Sequence, residues 1–204
     1  LFPYTTLFRS GVWMTVLSFT TMALFMDFGI GNGLLTKLSY ANGLNNNSEM
    51  RAYIISAYIS LTVIAFILAS ILLLLFFLTN FHFFSLDLKN QEALYIVFAS
   101  AIIFVLGIPI SVIQRIMYAK QQILKFNLWQ ISGAFFSLFF CYIAVLLKLS
   151  SWLIILAYSA PPLIILIIAT VVFFNDNKEI SPDLSSFSKE KSLDLLKIGS
   201  KFLV

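Results

Sequence analysis

The chain has 204 residues, of which 60% are hydrophobic and only 11% are charged, with a mean hydropathy of +0.97 and a net charge of +4. Soluble domains carry about 25% charged residues, so this composition excludes a water-soluble globular protein and indicates an integral membrane protein. The single cysteine, Cys141, lies in an apolar run and has no partner for an intrachain disulfide.

The first ten residues, LFPYTTLFRS, can be encoded by CTC TTT CCC TAC ACG ACG CTC TTC CGA TCT, which is a common short-read sequencing adapter. We therefore interpret residues 1–10 as adapter sequence fused to a reading frame, and we exclude them from reasoning about the fold. Genuine protein sequence is expected to begin near Gly11. An independently sequenced copy of the locus that encodes the same decapeptide would contradict this interpretation.

Five apolar runs reach, or nearly reach, the length of about 20 residues that a membrane-spanning helix needs. They cover residues 12–28, 53–78, 94–117, 128–147 and 152–174, and a sixth run begins near Leu193. Helices are expected because open sheet edges are not tolerated in lipid. The predicted fold class is therefore all-α, a polytopic membrane helix bundle.

The first run ends in the segment MDFGIGNGLL, residues 26–35, where one carboxylate precedes three glycines. An ionisable residue at membrane depth is a functional candidate, and glycines permit close backbone approach and unusual backbone angles. A polar stop followed by a glycine turn also explains the segment. The candidate gate residues are Asp27, Gly29, Gly31, Asn32 and Gly33.

A short interfacial helix is predicted next, because Leu34, Leu35, Leu38 and Ala41 recur at helical spacing before Gly43.

Prolines occur inside two of the later runs. Pro109 lies in the inner half of one run, and Pro161 and Pro162 fall in the middle of another. Proline removes a backbone donor and clashes with the preceding turn, so the pair predicts a break or a kink near the bilayer centre. Neighbouring groups or water must then satisfy the freed carbonyls. These three prolines are hinge candidates, with a simple packing kink as the alternative.

Basic charge alternates between successive loops. One set of loops carries ten Lys and Arg residues, and the other carries only Lys89 and Lys148. The positive-inside rule places the larger set in the cytoplasm, so the first visible helix runs inward and a further helix is expected before it. The net positive charge is thus a topology signal, and we predict no nucleic-acid partner. The larger set is Lys37, Arg51, Arg115, Lys120, Lys125, Lys178, Lys189, Lys191, Lys197 and Lys201.

The sequence lacks the usual motifs of catalysis and cofactor binding. It has no spaced set of metal ligands, no Ser–His–Asp or Cys–His set and no lysine-bearing phosphate loop. Gly29 and Gly31 are not followed by the third glycine of a dinucleotide fingerprint, since Leu34 occupies that position. We therefore predict no enzyme, no cofactor, no metal site and no catalytic residue.

Four stretches together resemble the polysaccharide flippase branch of the multidrug/oligosaccharidyl-lipid/polysaccharide exporter superfamily. They are GVW at residues 11–13 with MDFGIGNGL at 26–34, MRAYIISA at 50–57, IPI through YAKQ at 108–121, and NLWQ at 127–130. The resemblance implies that residues 11–174 form one six-helix lobe without its first helix. Residues 175–192 are then a cytoplasmic linker, and residues 193–204 start the second lobe of a two-lobe transporter.

The resemblance further implies a multi-pass protein of the bacterial or archaeal cytoplasmic (inner) membrane. Such a protein flips a polyprenyl-pyrophosphate-linked oligosaccharide by alternating access, for O-antigen, capsule or exopolysaccharide synthesis. The implied partners are this lipid-linked oligosaccharide, membrane lipid and other polysaccharide assembly proteins. The segment from Asp27 to Gly33 is expected to form the cytoplasmic gate, so Asp27→Ala is expected to abolish export. Arg115 is expected to face the pyrophosphate, or else to be a plain cytoplasmic anchor.

Other readings stay open. A cation-coupled drug or metabolite antiporter of the same superfamily would carry buried acidic residues in its first helices, and a lipid II flippase would line its cavity with several charges. A membrane polysaccharide polymerase would present acidic or arginine-bearing outer loops, but the loop at residues 79–91 is short and has no arginine. A membrane scaffold without transport activity ranks last.

Overall fold

The computed structural model describes residues 29–78 and 91–201. These ranges contain seven α-helices, with two short 3-10 helices, Lys178–Ile180 and Leu184–Ser186, between the last two. The predicted first run, which includes Asp27, lies outside the described residues, as do residues 1–10 and Lys89. The α-helices are α1 (Ile30–Gly43), α2 (Asn47–Leu78), α3 (Gln91–Ile110), α4 (Val112–Ala119), α5 (Ile123–Leu146), α6 (Ser151–Asp176) and α7 (Lys189–Ser200).

The predicted all-α membrane helix bundle is confirmed for the described residues. Four stretches in that part of the chain are long and apolar enough to cross a membrane, with mean hydropathies from 1.7 to 2.5. Their apolar side chains need a non-aqueous environment, so the chain is a membrane protein. The four stretches are Asn47–Leu74, Phe98–Ala119, Ile123–Leu146 and Ser151–Asp176.

Several helices begin earlier than their apolar runs predicted, because polar residues form the first turns. At the start of α2, the Glu49 backbone N–H donates to the Asn46 side-chain oxygen at 3.0 Å, and the Asn46 side-chain nitrogen donates to the Glu49 carboxylate at 3.1 Å. The first bond satisfies one of the backbone donors that are free at any helix start, and the second holds the two side chains in place. Similarly, α7 begins at Lys189 rather than near Leu193, because the Ser188 side chain accepts a hydrogen bond from the Lys191 amide.

The helices pack as a continuous bundle. Helices α5 and α6 form an antiparallel hairpin, α6 packs on α3, and α3 packs on α2. At the end of the bundle where α2 begins, α1 lies against α2, α4 and α7. The stripe predicted on α1 is confirmed as an apolar face, since Leu34, Leu38 and Ala41 are fully buried. That face contacts protein, in a core shared with Ile54 and Ile116.

Helices α1, α4 and α5 each end in the same type of tight turn. The residues after α1, α4 and α5 that adopt a left-handed conformation are Asn45, Gln121 and Lys148. In each turn the following amide bonds a carbonyl five residues back, as in the bond from Asn46 to Ala41 at 2.9 Å. This Schellman geometry satisfies the last carbonyls of the helix and reverses the chain within a few residues.

The resulting topology agrees with the predicted alternation of charge. Contacts gather Lys37, Arg51 and Lys120 at one end of the bundle, together with the segment that joins α6 to α7. Lys148 lies in the turn after α5, at the opposite end of that helix. We call the first of these the basic end.

The prolines act differently from one another. Helix α3 ends at Ile110, directly after Pro109, and α4 begins at Val112. Helix α6 instead continues from Ser151 to Asp176 through both Pro161 and Pro162. Of the two outcomes predicted for that pair, a break is therefore wrong. The hinge roles of all three prolines stay predictions.

The continuity of α6 has a local cause in α5. Pro162 cannot donate to the Tyr158 carbonyl four residues earlier, and the Ser137 hydroxyl of α5 donates to that carbonyl instead. Ser137 is only 2% exposed, so the bond is shielded from solvent. A Cβ added to Gly133 would lie 3.1 Å from the Pro162 Cα, which places the two backbones in close contact. The expected satisfaction of a freed carbonyl by a neighbouring helix is thus confirmed at Tyr158.

Candidate functional site: the α1–α7 interface at the basic end

The glycine segment at the start of α1 lies directly against α7. Gly29 has a φ of 72°, which L side chains rarely adopt, and a Cβ added there would lie 2.2 Å from the Gly199 carbonyl oxygen. A Cβ on Gly33 would lie 3.2 Å from the Leu195 carbonyl oxygen. Leu195 is fully buried in the contact. The two helices therefore meet backbone to backbone, which position 29 permits only as glycine.

An ion pair extends this contact one turn along α1. The Lys37 ammonium nitrogen lies 2.7 Å from the Asp194 carboxylate. The Tyr53 hydroxyl, near the start of α2, donates to the same carboxylate at 3.1 Å. The ammonium groups of Lys37 and Lys191 lie 5.7 and 4.7 Å from the centre of the Tyr53 ring, within the range of a cation–π interaction. We call these groups, with Gly29, Gly33, Leu195 and Gly199, the α1–α7 interface.

The electrostatics keep both members of the ion pair charged. The hydrogen bond from Lys37 lowers the pKa of the Asp194 carboxyl, and the bond from Tyr53 lowers it further. The same bond to Asp194 raises the pKa of the Lys37 ammonium. The two side chains keep 31% and 33% of their surface exposed, so water screens the attraction. A pair of this kind holds two elements together without preventing them from separating.

The segment that joins α6 to α7, residues 177–188, is held against the bundle at both of its ends. The Arg51 guanidinium donates to the Glu179 carbonyl at 2.8 Å, and the Lys120 ammonium lies 3.6 Å from the Glu179 carboxylate. Ser56 and the Ser188 backbone exchange hydrogen bonds of 3.2 and 3.3 Å. Between them Ile180 is fully buried. The predicted linker is therefore an ordered strap over the start of α2, and its role between two lobes stays a prediction.

The groups at the α1–α7 interface are suited to holding two helices together. A groove of about 430 Å³ beside the ion pair is lined by two lysines and two carboxylates, so no single sign of charge dominates it. Within residues 29–78 and 91–201, no group of three or more potential metal ligands occurs. The lining residues are Tyr53, Glu190, Lys191, Leu193, Asp194 and Lys197.

The predicted site residues are placed as follows. Gly29 forms the turn before α1, and Gly31, Asn32 and Gly33 lie in the first turn of the helix. Arg115 is half-buried on α4. Asp27 lies outside the described residues. The glycine segment is thus brought onto α7, and the gate role of the whole set stays a prediction.

Sequence reasoning missed the polar partners at this interface. Tyr53 and Asp194 are 141 positions apart, and Arg51 and Glu179 are 128 apart. Pairs at such separations leave no local pattern for periodicity or spacing to detect. A weak signal was available in Asp194, an acidic residue between Leu193 and Leu195 in an amphipathic helix start.

Comparison with known proteins adds no relative. No family model matches the chain, and neither the curated proteins nor the solved structures gave a match.

Proposed function

We propose that this protein is a transporter that flips polyprenyl-pyrophosphate-linked oligosaccharide across the cytoplasmic membrane by alternating access. The observation that supports the proposal most directly concerns the segment MDFGIGNGL. This segment carries much of the resemblance to polysaccharide flippases, and its glycines also form the contact with α7. In the proposed two-lobe protein, α7 begins the second lobe, so the contact joins the lobes.

The physical problem of such a transporter is a large hydroxyl-rich head group that the lipid interior rejects. A water-filled cavity between two lobes admits the head group while the polyprenyl tail stays in lipid. The cavity must open to one side of the membrane at a time. Contacts that close one side therefore need to be specific and reversible.

The α1–α7 interface suits that requirement. Glycine backbones at positions 29 and 199 give close packing without interlocking side chains. The partly exposed pair of Lys37 and Asp194 contributes only about 1 kcal/mol or less. With the basic end in the cytoplasm, we assign the interface to the closed cytoplasmic gate of an outward-open state.

A reconstitution experiment tests the function. The protein, expressed from its complete reading frame, is placed in vesicles with a fluorescent oligosaccharide on a short polyprenyl pyrophosphate. A membrane-impermeant glycosidase then reports which sugars have reached the outer leaflet. We expect the protein to expose inner-leaflet substrate, and empty vesicles to retain it.

The alternatives predict different results. Vesicles that expose no sugar but exchange a cationic drug for protons or sodium would support the antiporter. In the four described apolar stretches the acidic residues, Glu49 and Asp176, lie at helix ends, and none lies in a helix interior, which favours the flippase over an antiporter that needs buried carboxylates. Elongation of the glycan would instead support a polymerase.

A further inference from the structure

The surface of α5 carries two different stripes at matched depths. Asn127, Gln130 and Ala134 are exposed. Each is followed by an exposed bulky apolar residue, namely Leu128 at 58%, Ile131 at 64% and Phe135 at 64%. With about 100° between successive residues, the first three fall within about 60° of one another, and the second three lie about 100° further round the helix. We call the first set, which carries two side-chain amides and an alanine, the amide stripe, and the second set the apolar stripe.

The amide stripe does not belong to the packed core. Gly133 and Ser137, which pack against α6, are buried on the side of α5 that borders the stripe at Gln130, opposite the apolar stripe. Within the described part of the chain, the side-chain amides of Asn127 and Gln130 form no hydrogen bond. They are thus surface groups of an apolar helix whose mean hydropathy is 1.7.

Lipid is a poor neighbour for this stripe. An unpaired amide in a hydrocarbon environment costs on the order of 2–7 kcal/mol. The helix begins at Ile123, and Gln130 and Ala134 lie about 10 and 16 Å along its axis, within a stretch long and apolar enough to cross a membrane. The apolar stripe at the same depths is suited to lipid, so depth alone does not explain the difference between the two stripes.

We propose that the amide stripe lines a water-filled path for substrate, and that Asn127 and Gln130 hydrogen-bond the hydroxyl groups of its sugar head. Each amide offers one acceptor and two donor hydrogens, which matches hydroxyls that both donate and accept. The inference rests on the proposed function for the identity of the substrate. The proposed water along the stripe is argued from α5 and does not depend on the identity of the substrate.

Paired cysteine substitutions separate the effect of depth from that of the helix face. In a Cys141→Ala background of the complete protein, the stripe variants are Asn127→Cys, Gln130→Cys and Ala134→Cys. Each has a control at the next residue in the chain: Leu128→Cys, Ile131→Cys and Phe135→Cys. A membrane-impermeant maleimide is applied to native membranes, and labelling after denaturation normalises for the amount of protein.

We expect each stripe variant to react about tenfold faster than its control, because water allows the thiol to ionise and one pKa unit changes the thiolate fraction by that factor. We also expect polyprenyl-pyrophosphate oligosaccharide to slow labelling at positions 127 and 130. Polyprenyl pyrophosphate without sugar should leave that labelling unchanged.

The other outcomes overturn the proposal. Equal labelling within each pair would assign the amides to the headgroup level, and no labelling at the stripe would place it against lipid or another helix. If the stripe is labelled selectively but the lipid-linked oligosaccharide does not slow the labelling, Asn127 and Gln130 do not contact the sugar. Selective labelling in a protein that flips no oligosaccharide would reject the proposed function and leave the water-lined face standing.

Discussion

The ammonium group of Lys37 lies 2.7 Å from the carboxylate of Asp194, and this ion pair joins α1 to α7 beside a contact made by glycine backbones. Two different kinds of contact hold the two helices together. Packing at Gly29 and Gly199 depends on shape, whereas the ion pair depends on charge and is screened by water. The two contributions can therefore be altered separately by mutation.

The ion pair should show a small but measurable coupling energy. In a double-mutant cycle with Lys37→Met and Asp194→Asn, we expect a coupling of about 0.3–1 kcal/mol, because both side chains are partly exposed. Hydrogen exchange of the α7 amides in nanodiscs measures the free energy of undocking for each variant. Lys189→Met, on an exposed residue of the same helix, is the control. Strict additivity of the two changes would mean that the pair contributes nothing to docking.

The ion pair should be insensitive to pH over the physiological range. The pKa of Asp194 is lowered by Lys37 in the folded state, so its contribution is complete above the unfolded value of about 3.9 and is lost as pH falls through the folded pKa. The pKa of Lys37 is raised, so its contribution is complete below about 10.4 and is lost as pH rises through the folded pKa. Undocking of α7, followed by a spin-label distance, should be flat between about pH 5 and 9. In Asp194→Asn, the acid-dependent loss should disappear, and a midpoint near neutral pH in the native protein would contradict this assignment.

Three of the four glycines near α1, Gly29, Gly33 and Gly43, should differ sharply in their tolerance of alanine. Gly29→Ala places a Cβ 2.2 Å from the Gly199 carbonyl oxygen at a positive φ, and the backbone strain alone costs about 1–2 kcal/mol. Gly33→Ala places a Cβ 3.2 Å from the Leu195 carbonyl oxygen, which is a tight contact. Alanine also raises the helix propensity of this position by about 0.5–1 kcal/mol, which partly offsets the cost of that contact. Gly43→Ala has nothing within 4 Å and should be neutral or stabilising.

The order of effects on α7 docking is therefore Gly29, then Gly33, with Gly43 as the matched control. Hydrogen exchange of α7 and resistance to proteolysis of the 177–188 strap would measure it. Equal protection of α7 in the Gly29→Ala and Gly43→Ala variants would show that the backbone contact does not hold the helix.

Much of the fold follows from the sequence, because lipid imposes strong and local requirements. Apolar length and the positions of Lys and Arg predicted the helices and the end at which Lys37, Arg51 and Lys120 meet. Helix starts were predicted several residues late, because caps such as Asn46 and Ser188 are polar and carry no hydropathy signal. The glycine segment was recognised, but its partner on α7 was not, since a contact between distant backbones has no sequence pattern.

At the double proline only the predicted break is wrong, and the reason for it leads to the last prediction. The sequence predicted that the proline pair frees carbonyls that neighbouring groups must satisfy, but not that Ser137 of α5 would donate to the Tyr158 carbonyl and let α6 continue. Ser137→Ala should destabilise the α5–α6 hairpin by about 0.6–1.7 kcal/mol, the range of interhelical hydrogen bonds in membranes. In a Pro162→Ala background, the restored backbone amide can bond Tyr158, so the same change should cost less. Ser132→Ala is the control, because that hydroxyl donates within its own helix to Trp129 at 2.7 Å. Reversible unfolding in mixed micelles gives the free energies of unfolding of all four proteins in the cycle. If Ser137→Ala costs as much in the Pro162→Ala background as in the native protein, the serine acts by packing and not by satisfying the freed carbonyl.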